Sequence, residues 1–388
     1  MQRGTFQLMK SVNKSIVLNK IRTSEPISRA QIAKDTKLTP PTVSSIVREL
    51  IEQDLVMEST LGESLGGRKP TMLLVNKNGF YVIGIDAGPK TIKCILSNLS
   101  GQIQNQVKVL IDTTGELTNE KFLTLVKDAI QEILKEVDNR EKILGIGMAM
   151  HGVVDIETGT SLVAPILQLR NIPIKEELER EFNMEVHIEN DARAMALGES
   201  WFSEYGNVSD MVAVNLGSGV GAGVIIDGKL YHGSADLAGE IGHMTIDMHG
   251  DDCECGNRGC LETFASAPSI VKHANKRMPN KNIQSSKEVY ELAVQGDQEC
   301  VELLQQTGEA IGIGLINLIH TLNPETIIIG GGVSKAEKFI LQPIQDTIQK
   351  RGLTKEAKET SVVISEVGDN ATILGSVALL LEKLFDPR

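Results

Sequence analysis

Three cysteines crowd into Cys253-x-Cys255-x4-Cys260, and His243 stands a short way upstream in Gly239-Glu240-Ile241-Gly242-His243-Met244. In a reducing compartment this spacing points to a metal rather than to disulfides. One imidazole and three thiolates complete a tetrahedral zinc site. Four protein ligands leave no open position, so the expected zinc is structural rather than hydrolytic, pinning an otherwise irregular loop over 239–262. The competing reading is three buried free thiols beside a core histidine. Cys94 and Cys300 stand apart and read as ordinary core residues.

A second chemistry lies in glycine loops that follow apolar strands. A strand over 80–86 runs into Asp86-Ala87-Gly88, one over 211–216 into Gly217-Ser218-Gly219-Val220-Gly221-Ala222-Gly223, and one over 326–329 into Gly330-Gly331-Gly332. Between the first two, a strand over 186–188 leads into Glu189-Asn190-Asp191. Each loop alone is as easily a tight turn as a phosphate cradle. Their order, with amphipathic helices between them, predicts an α/β body whose ligands sit at the strand ends.

The elements upstream are of another kind. Val12, Ile16, Val17 and Ile21 recur at helical spacing. Ser28 is placed to cap a helix over 29–35 that buries Ile32 and Ala33. After a turn at Lys37-Leu38, Thr39-Pro40-Pro41 opens a helix over 42–53 that buries Val43, Ile46, Val47 and Leu50. Thr42, Ser44, Ser45 and Arg48 remain on its other face. A short strand, a glycine-rich loop ending in Arg68-Lys69-Pro70 and a second strand over 71–75 follow. This is the pattern of a winged helix-turn-helix, whose second helix reads the major groove while the wing's Arg68 and Lys69 reach phosphate or minor groove. The candidate DNA-contacting residues are therefore Thr39, Pro40, Pro41, Thr42, Ser44, Ser45, Arg48, Arg68 and Lys69. The competing reading is a small helical bundle used for protein contact.

Charge divides the chain in the same place. The net charge is −12, yet residues 1–80 carry 12 Lys+Arg against 7 Asp+Glu, while the remainder carries 27 against 44. A basic head on an acidic body suits a double-stranded DNA reader with a separate sensor. No apolar run approaches the ~18 residues of a membrane span, and residues 1–20 lack a signal-peptide core, so a cytoplasmic protein without a membrane partner is expected.

The motifs Glu189-Asn190-Asp191, Ala238-Gly-Glu240-Ile-Gly-His243 and Cys253-x-Cys255-x4-Cys260-Leu-Glu262, joined to the winged helix, resemble the repressor branch of the ROK family over essentially the whole chain. The resemblance implies an actin-like ATPase body (sugar-kinase-like, ribonuclease H-like, two-lobed) over 79–388 behind a DNA-binding domain over 1–78. It implies a sugar gripped by Asn190, Asp191, Glu240, His243 and Glu262, with xylose or another pentose or hexose the best expectation. It also implies a homodimer or higher homo-oligomer on operator DNA, with binding modulated by the sugar. A polyhydroxy ligand does need such a ring of carboxylates, amide and imidazole, and His243 would give one ring nitrogen to zinc and the other to the sugar.

Kinases of the family read Asp-x-Gly-Gly-Thr at the first loop. This chain reads Asp86-Ala87-Gly88-Pro89-Lys90, and proline removes a donor where phosphate needs one. The expectation is that Asp86, Gly88, Gly217, Gly219 and Gly221 are vestigial phosphate loops and Asp191 a vestigial general base, with neither ATP nor catalysis. An active ATP-dependent kinase with a DNA module, and a repressor using its body only to dimerise, are the alternatives. His151, where the family often has proline, is either an added contact or a tolerated change.

Overall fold

The computed structural model describes residues 6–59, 71–112 and 116–385. Helix α1 (Phe6–Ser24) precedes β1 (Ile27–Ser28), α2 (Arg29–Thr36) and α3 (Pro40–Glu52). Ser28 Oγ accepts from the Gln31 N–H at 3.2 Å and Thr39 Oγ1 from the Thr42 N–H at 3.4 Å, so each helix starts where a side chain replaces the missing intrahelical partner. α3 begins at Pro40 rather than at 42, because the first turn needs no N–H from Pro40 or Pro41. Lys37 turns the chain in the left-handed region, with φ 57°. Strands β2 (Val56–Ser59) and β3 (Met72–Val75) pair antiparallel and β1 joins β3. The expected tip of this wing, with Arg68 and Lys69, lies outside the described residues.

The body is built twice on one plan. Strands β4 (Tyr81–Ala87), β5 (Thr91–Asn98) and β6 (Ile103–Leu110) form an antiparallel meander. After α4 (Asn119–Lys135), β7 (Ile143–Met150) lies parallel to β4. A small sheet of β8 (Val153–Asp155), β9 (Thr160–Ala164) and β10 (Leu169–Ile172), then α5 (Ile174–Phe182), leads to β11 (Val186–Asn190), parallel to β7. Helix α6 (Asp191–Phe202) crosses to the second half, where β12 (Met211–Leu216), β13 (Val220–Ile226) and β14 (Lys229–Tyr231) again form a meander. Past α7 (Glu262–Ala265), α8 (Ala267–Arg277), α9 (Ser286–Val294) and α10 (Gln298–Leu322), β15 (Thr326–Gly330) runs parallel to β12. Then α11 (Glu337–Arg351) and α12 (Lys355–Lys358) lead to β16 (Ser361–Ile364), parallel to β15. The chain closes with α13 (Ala371–Phe385). The sheet orders β11-β7-β4-β5-β6 and β14-β13-β12-β15-β16 are the same connectivity, which makes the two-lobed, actin-like architecture. Cys94 and Cys300 are fully buried core residues.

The centre of the molecule is the crossing of α6 and α13. A Cβ on Gly198 would stand 2.0 Å from the Ala371 carbonyl oxygen, and one on Gly375 1.6 Å from that of Ala194, so only glycine lets these two backbones touch. α13 also packs on β4 and β7, and on α1 of the winged helix. Val17, Leu18 and Ile21 share one apolar cluster with Val377, Leu381 and Phe385. Val12 and Ile16, expected to belong to the same stripe, are only half-buried, and the buried face of α1 is made by Val17, Leu18 and Ile21 instead. Above this cluster, the Arg22 guanidinium carbon lies 4.1 Å from the Trp201 ring centre and 5.6 Å from that of Phe385. Head and body thus share a core rather than only a linker.

Candidate functional site

The loop after β14 brings His243, Cys253, Cys255 and Cys260 together, with all four ligand atoms within 4.8 Å of one another. Cys253 Sγ stands 3.7 Å from His243 Nδ1, and Cys255 Sγ 3.7 Å from Cys260 Sγ. A tetrahedral zinc with its usual bond lengths has edges of about 3.6 Å (S to N) and about 3.8 Å (S to S). The donor set and its spacing therefore fit zinc. The loop is folded around this point by short bridges, Thr245 to Cys260 and Asp252 to Arg258, and by the Cys253 N–H donating to Asn257 O at 2.8 Å. With Nδ1 toward the cysteines, Nε2 is the ring nitrogen of His243 left for another partner.

Of the expected sugar residues, Asn190 and Asp191 stand where β11 meets α6, and Glu240, His243 and Glu262 lie in the second half of the body. Asn190 ends β11 and caps α6: its Oδ1 accepts from the N–H groups of Ala192 at 2.9 Å and Arg193 at 3.2 Å, and its Nδ2 donates to Gly152 O at 2.8 Å. One amide hydrogen is therefore spent on the fold, and the second is the one a ligand can use. Asp191 opens α6 and is half-buried. Burial, then the neighbouring Asp86 and Glu240 charges, push its carboxyl up to about 7. Asp86 of the first lobe and Glu240 of the second are thus near enough to Asp191 to act on its charge. Glu240 is exposed. Glu262 turns toward the second glycine loop, where its Oε2 accepts from the Val220 N–H at 3.0 Å. His151 is buried, with Nδ1 3.4 Å from Ala87 O.

The two glycine loops are tight hairpins. The Gly88 N–H donates to Thr91 O at 3.0 Å and the Gly217 N–H to Gly219 O at 2.9 Å. Asp86 faces Lys93 across the β4–β5 ladder, with Lys93 Nζ 3.6 Å from Asp86 Oδ2. Burial pushes the Asp86 carboxyl up, and the lysine partly offsets it. Lys93 Nζ also reaches Asp369 O at 3.4 Å, so one cation links the first sheet to the turn before α13. Sequence reasoning missed it, although the pairing of Asp86 with Lys93 follows from hairpin register alone. Gly221 and Gly223 face Ala192 and Ala196 at 3.0 and 2.4 Å from a would-be Cβ, so they seat α6 on β13.

On the winged helix, Thr39, Pro40, Pro41, Ser45 and Arg48 are exposed and Thr42 and Ser44 half-buried, on the face of α3 opposite Val43, Ile46, Val47 and Leu50. The hydroxyls of Thr39 and Thr42 lie 2.8 Å apart at the helix start. Among the described residues no helix is long and apolar enough to cross a membrane.

Residues 82–383 match the ROK family. A xylose repressor of Caldicellulosiruptor bescii is 38% identical over 395 residues, covering 98% of each chain. A solved ROK family transcriptional regulator, a homologue of the E. coli MLC protein, superposes with a TM-score of 0.85 at 28% identity, covering 98% of each chain. A ROK family glucokinase from Streptomyces griseus, solved with glucose and AMPPNP, has a TM-score of 0.69 at 28% identity, covering 77% of this chain and 98% of its own. The glucokinase thus spans the body, and the regulator spans body and winged helix alike.

Proposed function

The chain belongs to the ROK family, and from that premise we propose that it is a sugar-responsive transcriptional repressor whose operator binding is set by a sugar held between the lobes of its body. The observation that carries the reading is the chain of contacts from Asp191 to the winged helix. Asp191 opens α6, α6 touches α13 backbone to backbone at Gly198 and Gly375, and α13 shares its core with α1 of the winged helix. A sugar drawing Glu240 toward Asn190 and Asp191 shifts the lobes about this crossing. In a homodimer a modest rotation changes the spacing of two recognition helices, and half-sites are read at fixed separation. Release of DNA by the sugar is the direction we expect, with xylose the first candidate.

In this reading Asn190, Asp191, Glu240, His243 and Glu262 hold the sugar hydroxyls. Zinc on His243, Cys253, Cys255 and Cys260 supplies a rigid structural support beneath them, not a reacting centre. Thr39, Thr42, Ser44, Ser45 and Arg48 face the major groove, and Arg68 and Lys69 the backbone or minor groove. The hairpin use of Gly88 and the Lys93 charge beside Asp86 support a body without ATP chemistry. One observation favours a second reading, an ATP-dependent sugar kinase: a carboxyl at about 7, as on Asp191, suits a general base.

Operator retention measured against pentoses, hexoses and amino sugars, with and without ATP, separates these. At least one sugar should lower retention without ATP, and Asp191→Ala should abolish the response. Indifference to every sugar, with Asp191→Ala behaving as wild type, would overturn the proposal. Sugar-dependent ATP consumption would establish the kinase instead.

A further inference from the structure

Next to Asn190 and Asp191 lies an ionic network that the proposed sugar contacts do not use. Glu189 precedes Asn190 and Arg193 lies in the first turn of α6, both only 2% exposed. Arg193 Nε donates to Glu189 Oε1 at 2.6 Å, and His232 Nε2 stands 2.7 Å from Glu189 Oε2. A carboxylate oxygen only accepts, so Nε2 carries the hydrogen. Arg193 Nη1 donates to Asp236 O at 2.7 Å, and the Asn190 N–H to Glu189 Oε1 at 2.7 Å. Burial alone would raise the Glu189 carboxyl. The His232 hydrogen bond and the Arg193 charge outweigh it and hold the group below the usual range.

The network joins the two lobes at one place. Glu189 belongs to the first sheet, whereas His232 and Asp236 belong to the segment that leaves β14 of the second sheet and runs into Gly239-Glu240. The far end of that segment is fixed as well: Gly239, at φ 98°, accepts the Ala222 N–H through its carbonyl at 2.8 Å. Withdrawing a charged pair from water costs several kcal/mol per ion, and apolar packing often serves stability equally well. What such a pair supplies in its place is defined geometry, and a site's reacting or binding groups need placement to about half an ångström.

We propose that Glu189, Arg193 and His232 are positioning residues for sugar selection, fixing Glu240 of the second lobe relative to Asn190 and Asp191 of the first. The inference rests on the sugar-binding reading above. Discrimination between sugars that differ by one hydroxyl or hydroxymethyl group then depends on a network that touches neither sugar.

The test uses the full chain, with D-xylose, D-glucose and N-acetylglucosamine as calorimetric probes, and zinc content and sugar-free operator affinity measured alongside. His232→Phe removes the donor and His232→Gln restores one. Arg193→Lys keeps the buried charge but cannot serve both Glu189 and Asp236. His232→Phe and Arg193→Lys should weaken the preferred sugar by about 10-fold or more and narrow the preference between sugars, since an ångström of misplacement can cost ~100-fold. Zinc content and sugar-free operator affinity should stay as in wild type, and His232→Gln should recover most of the loss. An unchanged preference in both damaging variants, or a His232→Gln as impaired as His232→Phe, overturns the inference. Should His232→Phe fail to fold, Arg193→Lys decides alone. If wild type binds none of the three probes and no sugar of the wider panel moves operator retention, the sugar reading falls and this inference with it. Wild-type binding with an unmoved preference sinks the inference only.

Discussion

Arg22→Ala, combined with Trp201→Leu, tests the joint between DNA head and body. Arg22 sits half-buried over the Trp201 face at 4.1 Å, with Phe385 at 5.6 Å. A cation over an aromatic ring stabilises by about 0.5–1 kcal/mol when exposed and by about 2 when desolvated. The burial that lowers the Arg22 pKa, against the pull of Glu25 and Glu382, puts this contact toward the upper part of that range. A coupling of about 1–2 kcal/mol is therefore expected, a factor of about 5–30 in the population of the docked head. Urea melts of wild type, both single variants and the double variant give that coupling directly. Calorimetry and operator retention on the same four proteins should show sugar affinity preserved while the sugar's effect on DNA shrinks. Single effects that add within about 0.3 kcal/mol would refute the joint as a coupled contact. So would a full sugar response in the double variant.

Chelating zinc, or Cys255→Ser, should lower the melting temperature, loosen residues 240–262 and weaken sugar binding, and an unchanged melt after chelation would speak against a structural metal. Replacing Arg68 and Lys69 together by Ala should weaken binding to every DNA sequence and flatten the slope of log affinity against log salt by roughly 2, whereas an unaltered slope would put the wing off the duplex. Asp191, raised to about 7 in the folded chain, binds its proton more tightly there than when unfolded. Its contribution thus favours the fold at low pH and is lost as pH rises through about 4 to 7. Sugar affinity should rise over the upper part of that window as the acceptor ionises. In Asp191→Asn both trends should flatten, and a wild-type pH profile in that variant would dismiss Asp191 as the accepting group.

Local chemistry was legible in the chain, and remote pairing was not. Ser28 and Thr39 declared their helices because a cap acts within three residues. Likewise the Cys253, Cys255 and Cys260 spacing marked the metal loop because its ligands lie close in sequence. The α/β class followed from apolar runs ending in glycine, whereas the strand order of the two sheets did not. By contrast, nothing in the periodicity of α1 says that Val17, Leu18 and Ile21 meet residues more than 350 positions later. Gly221 and Gly223 suggested a phosphate cradle, and their neighbours Ala192 and Ala196 give them a packing reason that only coordinates reveal. Asn190 read as a ligand residue, and what the structure shows of it is a helix cap. Nothing in the sequence joined Arg193 and His232 to Glu189, since their contacts are made only by the fold.

The core shared by α1 and α13 has a consequence for synthesis. The winged helix leaves the ribosome first, yet Val17, Leu18 and Ile21 have no complete apolar surroundings until Val377, Leu381 and Phe385 have been made. Until then the nascent head carries an uncovered stripe and should be a poor DNA reader. A chain truncated before α13 would not put a free, sugar-blind head on the operator. Because the core around the head is completed by distant residues of the same polypeptide, the head should be fully packed only once α13 has been made.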